Sequence, residues 1–175
     1  GGGAIVLEGA WVRLPGHRSE LSRDEENLWA EIAPLLAAAP RFRPPRVRDV
    51  SRKLGEDEEK LRRLMKRLAR RGDVDEIAHD HFFPRRTVTE MARFAHEVNA
   101  ACGATFVAAT FRDRLEADGQ VVGRKVAIEI LEFFDRHGYT IRRGDERRVN
   151  PRRLDLFEPD AGIVVTEGGE SSPVG

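Results

Sequence analysis

With 175 residues, the chain has room for one large domain or two small ones, each with its own core. Charged residues reach 34% and aromatics only 7%, which suits small helical modules better than a large sheet protein. Thirty basic and thirty acidic side chains leave a formal net charge of zero, so affinity for a polyanion would have to come from uneven distribution. A lone cysteine, Cys102, excludes an internal disulfide framework and suits a reducing, cytoplasmic setting. No apolar run approaches the roughly eighteen residues of a membrane span, and no secretory signal is visible.

Residues 1–18 hold two short apolar runs separated by Gly9-Ala10 and read as a strand pair, the end of a preceding domain or a linker. Ser22, with Glu25 three residues on, has the spacing of a capping box, and Leu28, Ile32, Leu35 and Leu36 supply the stripe of the helix that follows. Pro40, Pro44 and Pro45 end it. A short helix over Val47–Leu54 closes at Gly55. A third, Glu56 to Arg71, carries Leu61, Leu64, Met65 and Leu68 on one face, with acids at its start and bases at its end. Val74 to Phe83 then reads as a hairpin centred on His79-Asp80.

The pattern recurs. Thr87 and Glu90 suggest a second capping box before Val88, Met91, Ala95 and Val98. Helices are expected from about Thr105 to Leu115 and from Gly123 to His137, with Ala127, Ile130, Leu131 and Phe134 facing inward. Tyr139–Arg143 and Arg147–Val149 flank Gly144-Asp145-Glu146 as a second hairpin. Three helices followed by a small hairpin, twice over, predict a mainly α fold with small β-hairpins: tandem winged-helix (helix-turn-helix) domains. The expected units are 19–85, a spacer-like winged helix, and 86–157, a nucleic-acid-binding one. A flexible tail is expected over 158–175, with at most a short extended piece at Ile163–Val165.

Charge separates the two units. Where a helix-turn-helix would approach nucleic acid, the first presents Glu56-Asp57-Glu58-Glu59, and its hairpin carries Asp73, Asp75, Glu76 and Asp80. It reads as a spacer or a protein-facing platform. The second opens its last helix on Gly123-Arg124-Lys125, where free backbone amides would also favour an anion. Its hairpin adds Arg142, Arg143, Arg147 and Arg148, and Arg152 and Arg153 follow. From Val121 to Arg153 there are nine basic residues against five acidic ones. Glu129, Glu132 and Asp135 lie further along the helix, where they need not face a ligand. A solvated hairpin is the bland alternative. A second basic run, Arg41, Arg43, Arg46, Arg48, Arg52 and Lys53, reads first as a solvated loop and helix face, with contact to a distant part of the same nucleic acid as the alternative.

His79 and His81 alternate on a hairpin with no further ligand nearby, a weak basis for a metal site. No phosphate-binding GxxxxGK[ST] motif and no nucleophile–base pairing are visible, so no catalysis, metal or cofactor is expected within the chain.

The stretches Ala104–Leu115, Gly123–Gly138 and Thr140–Arg148 resemble the last winged helix of bacterial SelB, and Trp11–His17 is similar to the junction entering its preceding winged helix. The resemblance covers about residues 5–157. It implies part of a translation GTPase that delivers selenocysteinyl-tRNA to the ribosome at a recoded UGA. GTP and Mg would be bound by domains N-terminal to the fragment. The C-terminal winged helices of that family bind the selenocysteine insertion (SECIS) hairpin of the message. Carried onto this chain, the RNA-binding residues are Arg124, Lys125, Arg142, Arg143, Arg147 and Arg148, with Arg152 beside them. A monomer without membrane attachment is expected, with Tyr139 the nearby aromatic expected to be partly exposed. The tail after Ile163 departs from the family pattern. A winged-helix DNA-binding regulator and a protein-docking module are the competing readings.

Overall fold

A computed structural model describes residues 20–158. The expected strand pair in 1–18, the contact around His17 and the extended piece at Ile163–Val165 lie outside the described residues. The elements run α1 (Arg23–Ala37), α2 (Val47–Leu54), α3 (Glu58–Arg71), β1 (Val74–Ala78), β2 (His81–Pro84), α4 (Arg85–Cys102), β3 (Phe106–Val107), α5 (Ala108–Glu116), α6 (Arg124–Arg136), β4 (Thr140–Arg143) and β5 (Glu146–Val149), followed by a 3₁₀ turn at Leu154–Phe157. The tandem order of three helices and a small sheet is the winged-helix order.

Local chemistry sets several of these boundaries. Ser22 caps α1 by accepting the Glu25 amide at 3.2 Å, while the Glu25 carboxylate accepts the Ser22 amide at 3.0 Å, a complete capping box. Asp57 caps α3 by accepting the Lys60 amide. The capping box expected at Thr87 and Glu90 does not form. The chain leaves β2 through Pro84 straight into α4 at Arg85, so Thr87 is buried inside the first turn and Glu90 turns to Arg41.

The predicted second helix of the second unit is also shorter than expected. Phe106–Val107 leaves it to form β3, so the sheet has three strands in the order β3-β5-β4. A two-residue strand carries no periodicity of its own; it exists because β5 offers it an edge.

Two apolar clusters form. The first gathers Leu28, Ile32, Leu36, Val50, Leu61, Leu64, Leu68, Val74 and Phe82. The second holds the residues of α4 to β5 and also Phe42, Ile77 and Phe83. Strand β2 therefore feeds both cores, Phe82 on one face and Phe83 on the other, as the two-residue period of a strand requires. Phe42 is fully buried and meets Phe94 edge-on, with ring centroids 5.8 Å apart. Arg41–Glu90 (2.6 Å) and Arg46–Glu129 (3.6 Å) bridge the two units, and Arg136 donates to the Ile77 carbonyl. The first unit's hairpin is thus packed against the second unit.

Candidate nucleic-acid interface

The second unit's last helix, α6, begins at Arg124 after Gly123, whose φ of 83° lies in the region that favours glycine. The Glu116 carboxylate at the end of α5 accepts the Val122 amide at 2.9 Å and the Gly123 amide at 3.0 Å. Those bonds, Gly123 first, hold its carboxyl below the usual carboxylate range. The amides just ahead of the helix are therefore occupied from within the protein. An approaching anion would meet the first amides of the helix itself and the exposed side chains of Arg124 and Lys125.

Register divides the hairpin arginines between two faces. Arg142 lies opposite Arg147, and Arg147 opposite Phe106 of β3, so these residues share the inner face of the sheet. Arg143 lies opposite Glu146, and Arg148 opposite Ile141, on the outer face. Arg142 donates from Nε to the Gly144 carbonyl at the tip and remains exposed, as do Arg143 and Arg148.

Arg147, unlike the other hairpin arginines, is not on the surface. It is only 3% exposed, and its Nε donates to both Asp135 oxygens, at 3.0 and 3.2 Å; Thr140 also donates to Asp135. Two guanidinium groups facing each other across adjacent strands repel, and Asp135 resolves the conflict by drawing one of them inward. Arg152 is exposed and lies past the end of β5, away from the Gly144-Asp145 tip.

Between α5, α6 and the inner face of the sheet lies a cleft of about 460 Å³. Val107, Ala108, Ala127 and Ile128 give it apolar walls, and Arg112, Arg124 and Arg142 line its rim. Two buried donors, Arg147 Nη2 and Arg112 Nε, have no hydrogen-bond partner among the described residues. Glu132 and Asp145 also line the cleft, so Glu132 faces the site, against expectation, while Glu129 and Asp135 are engaged by Arg46 and Arg147. Arg112 was missed in the sequence. The signal was present in its spacing, three and four residues beyond Ala109 and Ala108, which puts a cation above a small-residue face. Apolar walls with rim cations suit an unstacked base and its phosphates.

Tyr139 is 3% exposed, its hydroxyl donating to the Ala92 carbonyl and its ring packed on Phe134 and Phe157, so it offers no stacking surface. Burial pushes its hydroxyl up to about 12. His81 is buried, with Nε2 2.6 Å from the Pro44 carbonyl, and must donate there because a carbonyl only accepts. Burial pushes it down to about 4. His79 is exposed, and among the described residues no group of three or more potential ligands could hold a metal.

The acids of the first unit are structural as well as repulsive. Asp57 is a cap, Glu56 pairs with Lys60, and Arg62 binds Asp80 through two bonds at 2.8 and 2.7 Å while also reaching Glu58 and Glu59. Of the second basic run, Arg41 and Arg46 are spent on the contacts between units, whereas Arg43, Arg48, Arg52 and Lys53 are exposed.

Comparison with known proteins agrees with the tandem winged-helix fold. Residues 21–83 match the family model described as "Selenocysteine-specific elongation factor, winged helix domain", and residues 101–149 match "Elongation factor SelB, winged helix". The selenocysteine-specific elongation factor of Escherichia coli (strain K12) is 35% identical over 152 residues, 87% of this chain and 23% of the relative. That of Haemophilus influenzae is 28% identical over 152 residues, with the same coverage. The chain thus spans about a quarter of the length of these curated relatives. The solved mRNA-binding domain of E. coli elongation factor SelB, in complex with SECIS RNA, is 34% identical, with a TM-score of 0.65 over 74% of this chain and 99% of that one. With the two winged-helix units in order and nearly the whole of that solved domain matched, the chain belongs to the SelB family of selenocysteine-specific elongation factors.

Proposed function

We propose that this chain is the message-binding part of a selenocysteine-specific elongation factor and that its second unit grips the loop of a SECIS hairpin. The carrying observation is the cleft between α6 and the sheet, with apolar walls, rim cations Arg112, Arg124 and Arg142, and two unpartnered buried donors. A hairpin loop presents unstacked bases whose edges accept from guanidinium groups and whose faces lie against apolar surface. Lys125, Arg143 and Arg148 stand outside the cleft and supply charge to the flanking backbone, which sets affinity and salt dependence without reading sequence. Arg147 holds the sheet in place through Asp135 while offering Nη2 to the cleft floor.

In this reading the hairpin tethers the factor so that selenocysteinyl-tRNA is delivered at the recoded UGA. GTP, magnesium, tRNA and ribosome contacts belong to the remainder of the full-length protein, and the setting is cytoplasmic. Among the described residues, no helix is long and apolar enough to cross a membrane. The relative's RNA-bound state favours RNA over the duplex-DNA alternative.

Titration of the chain with an RNA hairpin from a selenoprotein message, the matching DNA hairpin and a loop-scrambled RNA tests the reading. The native RNA should bind more tightly than both controls. Arg124→Ala or Arg142→Ala should cost about 1–3 kcal/mol if the side chain reads a base. Equal binding of all three nucleic acids would overturn it.

A further inference from the structure

We propose that Arg43, in the loop between α1 and α2, belongs to the same RNA-binding surface and holds a phosphate of the strand leaving the hairpin loop. The inference rests on the reading above and extends it across the boundary between the two units. The loop is anchored on both sides of Arg43. Phe42 is buried in the second unit's core, the Arg41 amide donates to Gln120 at 3.0 Å, and Arg46 reaches Glu129 at 3.6 Å. The Arg43 amide closes a turn onto the Pro40 carbonyl at 3.0 Å. Held in this way, the Arg43 guanidinium lies over Gly123, with Nη1 3.9 Å from where a Cβ on that glycine would stand.

Its neighbours in sequence use their charge internally, since Arg41 pairs with Glu90 and Arg46 with Glu129. Arg43 is exposed and, among the described residues, has no ion-pair partner. It sits at the positive end of α6 beside the exposed Arg124 and Lys125. Three cations at a helix N-terminus repel one another and the helix dipole, and the single Glu116 carboxylate on the Val122 and Gly123 amides offsets only part of that. A polyanion relieves all three terms together, whereas a solvated loop would have no reason to hold a guanidinium there. A backbone phosphate fits better than a base, because neither Arg43 nor Gly123 lines the cleft that could take a base.

The test measures the salt dependence of hairpin affinity for the whole chain carrying Arg43→Ala, Arg43→Lys or, as a control from the same basic run, Arg48→Ala. Arg43→Ala should weaken binding by roughly two- to fivefold at low salt and reduce the slope of log K against log salt by about 0.7–0.9. Arg43→Lys should keep the slope, because a point charge suffices for phosphate. Arg48→Ala should change neither quantity, and the thermal midpoint should stay put in all three.

If Arg124→Ala weakens binding while Arg43→Ala leaves the slope untouched, this inference falls and the assignment of the second unit stands. If Arg43→Lys loses as much as Arg43→Ala, or the midpoint drops, Arg43 is a structural residue and the inference is wrong. If the unsubstituted chain does not prefer the hairpin, both fall together.

Discussion

Arg142 and Arg147 face each other across two strands, yet one is solvated and the other is held by Asp135 in the interior. A buried ion pair broken from one side leaves the remaining charge stranded, which costs about 3–5 kcal/mol. Arg147→Ala should therefore lower stability in urea by that amount and lose RNA binding through loss of the sheet. Arg143→Ala should shift stability by no more than about 0.5 kcal/mol while still weakening hairpin binding; a destabilised Arg143→Ala would mean the outer face is packed rather than solvated.

His81 gives a pH signature of its own. Its folded-state pKa is depressed to about 4 by burial, so the folded protein refuses a proton that the unfolded chain accepts. Stability is fully present above the ordinary histidine range and falls as pH drops from about 6.5 toward 4, by roughly 3 kcal/mol at most. His81→Gln can still donate to the Pro44 carbonyl and cannot titrate. Urea unfolding at pH 7 and pH 4.5 should show a smaller acid-side loss in that variant than in the native chain.

Among the elements, α1 stands on its capping box and α3 on a single aspartate cap. Ser22→Ala should cost about 1 kcal/mol, read as a lower urea midpoint. The Glu25 carboxyl is held below the ordinary carboxylate range, first by the Ser22 amide, and it also pairs with Arg67. Its contribution is present at neutral pH and is lost as pH falls through and below that range.

The first turn of α3 is acidic in sequence, but Arg62 and Lys60 offset much of that charge locally. Glu58→Ala should leave hairpin affinity unchanged or slightly improved, and a marked loss would show that the first unit's helix touches RNA. Strand β3 belongs to the same scale. Phe106, on β3, lies opposite Arg147 on β5, so the extra strand helps to cover the very side chain whose burial shapes the cleft.

At the scale of the molecule, the two units share more than a linker. Phe42, Ile77 and Phe83 come from the first half of the chain and are buried in the second core, so neither unit closes its apolar surface alone. Phe42→Ala removes a fully buried ring and should cost about 3–5 kcal/mol. Calorimetry should show one cooperative transition for the native chain, and a lower, broader or divided one for the variant, because the plug that couples the units is gone. A divided transition in the native chain would refute the coupling. The first unit's hairpin packs against the second unit and forms a joint between them.

Much of this was legible in one dimension. Ser22 with Glu25, the Leu61-Leu64-Met65-Leu68 stripe and the Gly123-Arg124-Lys125 start are local patterns, and local patterns survive folding because capping and amphipathicity act within a few residues. The family resemblance in Ala104–Arg148 was legible for the same reason, and the solved SelB domain bears it out. Which arginines face solvent was not. Arg142, Arg143, Arg147 and Arg148 look alike in sequence, and only strand register, Asp135 and the close approach of β3 decide that Arg147 is buried while the others are exposed. Likewise, Arg43 reaches α6 only because Phe42 is drawn into a core about fifty residues and more further along the chain. Pairing across a sheet and packing between distant segments are set by the whole chain's burial of apolar surface, which no window of sequence contains.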